Sequence, residues 1–206
     1  MGAELGALQP LTVWLVLAAL PLALAACTAF TKISIVLAAL RLGLGAERLL
    51  PFGSMLALAL VLTAVVMAPV ADACLTTLER LGGIDALSLD PLAIGREVLE
   101  PLWSFLAEHA RPREVDLFAE LGGIEGEGPA VLVPAFLVSE IGHGLELAVM
   151  ILMPFVVVDL ICAQVLALLG LSTTPTAVVA LPAKILLFLA ADGWSIVILG
   201  LVEGYR

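Results

Sequence analysis

The sequence predicts an all-α integral membrane protein: two helical hairpins with an acidic helical insert, outside the membrane, between them. Three observations carry this. First, 62% of the 206 residues are hydrophobic, 14% are charged, and the mean hydropathy is +1.17. A soluble chain of this length cannot hide so much apolar surface. Second, residues 5–31 and 49–71 contain no Asp, Glu, Lys or Arg. Each run is long enough to cross a bilayer as a helix, which takes about 20 residues. Third, the net charge of −10 is segregated: Asp72–Glu146 holds fourteen acids against four arginines, and the rest of the chain balances.

The elements follow in order. Residues 5–31 read as a first long helix, interrupted by Lys32, with Ile33–Leu40 continuing apolar to Arg41. Gly43, Gly45 and Pro51 mark a turn. Residues 49–71 read as a second helix ending near Asp72, so residues 1–72 form the N-terminal hairpin. Residues 73–128 are the insert, cut into short helices by Pro91, Pro101 and Pro112 and closed by the glycine-rich stretch up to Pro129. Trp103, Phe105, Leu106, Leu117 and Phe118 offer it a small apolar face. Residues 129–206 form the C-terminal hairpin: one helix over 130–169, a turn at 170–175, and a fourth helix over 176–202 with Pro182, Lys184 and Asp192 inside. Proline within a membrane helix frees a carbonyl that must find a partner in protein or water.

Charge also sets orientation. Lys32, Arg41 and Arg48 against Glu47 put the first turn on the cytoplasmic side. Four crossings then put the insert and both termini outside, and the 171–175 turn inside.

Several chemistries are excluded. Nucleic-acid binding needs basic patches, which an acidic chain lacks. Cys27, Cys74 and Cys162 form neither a disulfide framework nor a zinc spacing. Leu24-Ala25-Ala26-Cys27 resembles a lipoprotein cleavage site, but residues 1–10 carry no basic residue and the chain stays apolar after Cys27. Glu140, His143 and Glu146 share a helix flank, and Glu-x-x-His is half of a di-iron motif. The second half is missing, so the flank reads as solvated or interface-facing. No nucleophile triad and no phosphate loop is recognisable. No catalytic, metal or cofactor-binding residue is expected from these patterns; that the chain is not an enzyme and needs no cofactor is what the family likeness given below implies.

The informative residues are charges in apolar surroundings. Asp159 and Lys184 lie on either side of the break Gly170–Pro175, whose position is the midpoint between them. Folding back there brings them to similar depth. Charges at membrane depth are expensive and mark function, so an ion pair, within one hairpin or between copies, is expected to fix register and assembly. A proton relay through Asp159, Lys184 and Asp192 is the rival reading. Lys32 has no acid at its mirrored position; Asp192, eight residues past Lys184 and roughly on its face, and Glu140 are its candidate partners. Gly142, Gly144, Gly193 and Gly200 permit close helix approach, as membrane helix packing favours.

Three blocks give the chain a family likeness. The first is Thr28-Ala29-Phe30-Thr31-Lys32-Ile33-Ser34-Ile35-Val36-Leu37 with Leu40-Arg41 and, later, Val66-Met67-Ala68-Pro69. The second is Glu100-Pro101-Leu102, then Arg113-Glu114-Val115-Asp116-Leu117-Phe118. The third joins Pro134-Ala135-Phe136-Leu137-Val138-Ser139-Glu140, Pro154–Leu160, Leu181-Pro182-Ala183-Lys184 and Asp192-Gly193-Trp194. On these the chain resembles the FliP/SctR family, core export-gate proteins of flagellar and injectisome type III secretion systems. The resemblance implies a ring-like pentamer joined to sister subunits in a helical pore assembly. That gate sits at the bacterial inner membrane, with the insert periplasmic, and passes unfolded secreted proteins while energy comes from elsewhere. It also implies a seal near Leu171, Ser172, Thr173, Thr174 and Pro175 from several copies. The family carries a methionine run at this turn, whereas here Leu171-Ser172-Thr173-Thr174 replaces it. The alternatives are an ion- or proton-coupled transporter and a non-conducting scaffold.

Overall fold

The first apolar run does not continue as one helix. In the computed structural model, which describes residues 18, 21–83, 91–123, 126, 128–171 and 173–205, helix α1 (Pro21–Cys27) ends at a break over Thr28 and Ala29, and α2 (Phe30–Leu44) begins beyond it. Residues 5–17 of the expected first helix lie outside the described residues. Lys32 is not the interruption. It sits in the first turn of α2, 4% exposed, on the same buried stripe as Ile33, Val36, Leu37 and Leu40. That spacing puts one face of the helix against protein.

Helix α3 (Phe52–Arg80) runs eight residues past its expected end at Asp72. Asp72 is a weak helix breaker on its own, and no strong one arrives before Gly82 and Gly83, both at positive φ. Three short helices follow: α4 (Pro91–Val98), α5 (Glu100–His109) and α6 (Pro112–Gly122). Proline stands in the first turn of α5 and α6, where its missing N–H removes nothing. Helix α7 (Pro129–Leu168) is continuous through Pro134 and Pro154. Its 40 residues rise about 60 Å, twice the hydrocarbon thickness of about 30 Å. It is therefore long enough to span a membrane core with length to spare. The expected fourth helix is two: α8 (Thr176–Ala190) and α9 (Gly193–Glu203), bent by 63° at Ala191-Asp192. Each is too short to cross alone. Among the described residues every regular element is a helix, and α3 and α7 are long and apolar enough to span a membrane.

The chain divides into two compact units. One is Met1–Thr31 with Pro69–Ser139. Its core gathers Phe105 and Leu106 of α5 with Val131, Leu132, Ala135 and Phe136 of α7, all buried. The Phe105 ring lies 5.8 Å from that of Phe136 and 4.4 Å from His109. Leu117, expected on this apolar face, is exposed. The α5–α6 link is tied down by Ser139. Its hydroxyl donates to the Ala135 carbonyl at 2.7 Å and accepts the Arg111 backbone N–H at 2.8 Å. Ser139 is 1% exposed, so Ser139→Ala orphans a partly buried N–H. We expect it to lower stability by about 1–3 kcal/mol, read by thermal unfolding in detergent micelles.

The other unit is Lys32–Ala68 with Glu140–Arg206, and it holds the turns of both expected hairpins. Arg41 shapes the first turn: its Nε donates to the Leu50 carbonyl at 2.6 Å and its Nη2 to the Glu47 carbonyl at 3.0 Å. Buried residues of α7 in this unit include Ala148, Phe155 and Cys162, seven apart, and those of α8 include Ala180, Lys184 and Phe188, four apart. Gly144 packs on Ile35, while Gly200 faces open space.

Candidate functional site

Two ion pairs and one turn make up the site, all in the second unit. The first pair joins the helices flanking the turn at 170–175. Helix α7 ends in a Schellman motif: Gly170 at φ +73, its N–H on the Ala167 carbonyl at 3.1 Å, and the Leu171 N–H on the Leu166 carbonyl at 2.9 Å. Gly170 reaches this conformation without the penalty a side chain would add. Thr174 N–H then returns to the Leu171 carbonyl at 3.0 Å, and Pro175 caps α8 in extended conformation. Ser172 lies outside the described residues. The fold-back sets Lys184 Nζ 2.7 Å from Asp159 Oδ2. The pair is lopsided: the Lys184 side chain is 8% exposed and that of Asp159 46%. Both line an open cavity of about 480 Å³ with Leu44, Val156, Thr176 and Leu181.

The second pair is deeper. Lys32 Nζ lies 3.5 Å from Glu140 Oε1, and both side chains are almost wholly buried. Of the two acids offered for Lys32, the structure brings it to Glu140. Glu140 therefore does not share a solvated flank with Glu146, which is exposed. Nor is Asp192 on the face of Lys184: it sits in the break, at φ 50 and ψ 47, exposed to solvent. Aspartate tolerates this left-handed conformation better than most residues.

Sequence reasoning missed Tyr205. Its ring lies over Lys32 Nζ, 3.4 Å from the centroid, and its hydroxyl donates to Glu140 Oε2. Burial first, and then the Glu140 carboxylate, hold its phenol far above the ordinary tyrosine range, so it stays a donor. A lone tyrosine beyond the last apolar run carries no periodic signal. Its being the only tyrosine in the chain was the single hint.

An apolar cavity of about 410 Å³ lies among α2, α7, α8 and α9, lined by Val36, Leu40, Phe155, Phe188, Val197 and Leu201 among others. Among the described residues no group of three His, Cys, Asp or Glu is placed to hold a metal. The described residues form an all-helical membrane protein with ion pairs set between apolar helices.

That class has a definite family. The FliP family profile matches residues 13–201, and the chain belongs to this family. It is 35% identical to flagellar biosynthetic protein FliP of Pectobacterium carotovorum subsp. carotovorum, over 90% of this chain and 74% of that one. It is 32% identical to hypersensitivity response secretion protein HrcR of Ralstonia nicotianae, over 92% and 93%. It is 31% identical to Yop proteins translocation protein R of Yersinia pestis, over 90% of both.

Proposed function

We propose that this chain is a pore-forming core subunit of a type III protein export gate in the bacterial inner membrane. Copies of it join one another, in a pentamer, and smaller sister subunits; together they pass unfolded proteins outward. The subunit is a conduit and performs no chemistry. The insert over 73–128 faces the periplasm. The relatives' names, drawn from flagellar assembly, secretion and translocation, support this reading.

The observation that carries it is how the charges are disposed of. Both lysines in apolar helices meet acids inside one unit, while apolar side chains along α3 (Leu56, Leu60, Val65) and α7 (Val149, Met153, Val157) stay exposed in the single chain. Satisfied charges and bare apolar faces suit a subunit that docks against other helices. The half-exposed Asp159 beside its cavity favours a second reading, a proton-coupled transporter.

The mass of the native complex separates the two. A gate subunit is recovered as a stable multimer with small hydrophobic partners; a transporter gives pH-dependent flux alone in vesicles. The seal is tested at Leu171, the largest apolar side chain of the turn and 48% exposed. Leu171→Gly in an assembled gate is expected to raise ion leak several-fold over the parent, measured as membrane depolarisation in cells. Unchanged leak removes the seal from this turn.

A further inference from the structure

Tyr205 touches both members of the deepest ion pair, and each contact does different work. At 3.5 Å the Lys32–Glu140 separation is longer than the 2.7–2.9 Å of a tight charge-assisted hydrogen bond. In a buried setting a loose pair does not by itself offset the loss of water from two ions. The aromatic ring supplies a second face for the ammonium, 3.4 Å away. The hydroxyl supplies a donor for the carboxylate oxygen that Lys32 does not face.

We propose that Tyr205 is the positioning residue of this pair: its ring takes the Lys32 ammonium, its hydroxyl takes Glu140, and it thereby locks the end of α9 to α2 and α7. The three groups form one closed unit drawn from residues 32, 140 and 205, far apart in sequence. The hydroxyl's bond is strongest while Glu140 is ionised, and the ring's attraction is strongest while Lys32 is charged. The clasp is required of the fold whatever passes through the membrane, so its failure would leave the export-gate reading standing.

The chain's single tyrosine makes this directly measurable, since near-UV phenolate absorbance of the purified full-length chain in micelles reports Tyr205 alone. In the parent, no phenolate is expected where an exposed tyrosine ionises, near pH ~10; it appears only as the chain unfolds. Glu140→Gln removes the negative charge that opposes phenolate formation. Ionisation then moves to lower pH, at least tenfold easier, with native elution and tryptophan emission checked first. In parallel, Tyr205→Phe keeps the ring and loses the donor, and is expected to lower the folded-to-unfolded ratio about tenfold. Tyr205→Leu loses both, for about a further tenfold. In a Glu140→Gln background Tyr205→Phe should cost clearly less than in the parent, because a neutral amide oxygen accepts a weaker bond than a carboxylate. A packing-only tyrosine would cost the same in both backgrounds. Phenolate formation near pH ~10 in the folded parent overturns the proposal. So does a titration that Glu140→Gln leaves unmoved, or Tyr205→Leu with parent stability.

Discussion

Asp159→Ala is expected to destabilise the protein by about 3–5 kcal/mol, and Lys184→Met by clearly less. The asymmetry follows from burial. The Lys184 side chain is 8% exposed and that of Asp159 is 46% exposed. Removing the acid strands an ammonium among Leu44, Ala180 and Leu181 with one hydrogen-bond partner gone. Removing the lysine leaves a carboxylate that already reaches the open cavity and keeps part of its hydration. The replacement methionine fills much of the vacated volume with apolar atoms. The double change Asp159→Asn with Lys184→Met removes both charges and should recover most of the loss, since neither replacement carries the large desolvation penalty of a stranded ion. Reversing the charges should recover less, because it places the carboxylate at the buried position. Denaturant titration of the parent and the four variants in one detergent gives the order, and the same variants in a secretion assay give the functional consequence. Equal losses from the two single changes would mean that the pair is equally wet at both ends.

The Asp159–Lys184 pairing was legible in the sequence because the only turn signal between them lies at their midpoint. A helical hairpin with a turn at Gly170–Pro175 leaves little choice of register. The partner of Lys32 was only half legible. Glu140 and Asp192 were both acids at plausible depth, and choosing between them depends on how one hairpin packs on the other. No local pattern encodes that. The choice was settled by the second break, and its signal was present as Asp192-Gly193, a turn dipeptide set in a long apolar run. Hydropathy averages across such a dipeptide and reads one span. The backbone instead bends there and takes Asp192 away from the face of Lys184. Apolar content gave the helices of α3 and α7 readily, and the ends of α7 to within a residue because Pro129 and Gly170 punctuate it; the end of α3 was missed because Asp72 is only a weak breaker and the helix runs on toward the glycines at 82 and 83. Tyr205 stayed invisible for another reason. Its role is to two charges more than 60 residues away, and a single aromatic has no period to read.

Gly193 is where the second break can be tested hardest. A Cβ added at this residue would lie 2.2 Å from Cδ2 and Cε2 of Phe188, well inside contact distance. Aromatic neighbours brace the ring. Phe188 is 8% exposed, stands edge-on to Trp194 with centroids 5.4 Å apart, and lies 6.5 Å from the Phe155 ring. Gly193→Ala therefore forces either the aromatic cluster or the 63° bend between α8 and α9 to change. We expect a loss of about 3 kcal/mol, the upper end of what an inserted methyl does in a packed core. The apolar cavity beside Phe188 is the relief route, because it gives a smaller side chain somewhere to rearrange. Phe188→Leu alone should be destabilising through lost volume. Combined with Gly193→Ala it should be better than the sum of the two, by about 1 kcal/mol or more, as contacting residues do. With Trp14 and Trp103 replaced by Phe, tryptophan emission during unfolding reports Trp194 and so follows the cluster. Strict additivity of the two changes would show that the ring does not hold the bend.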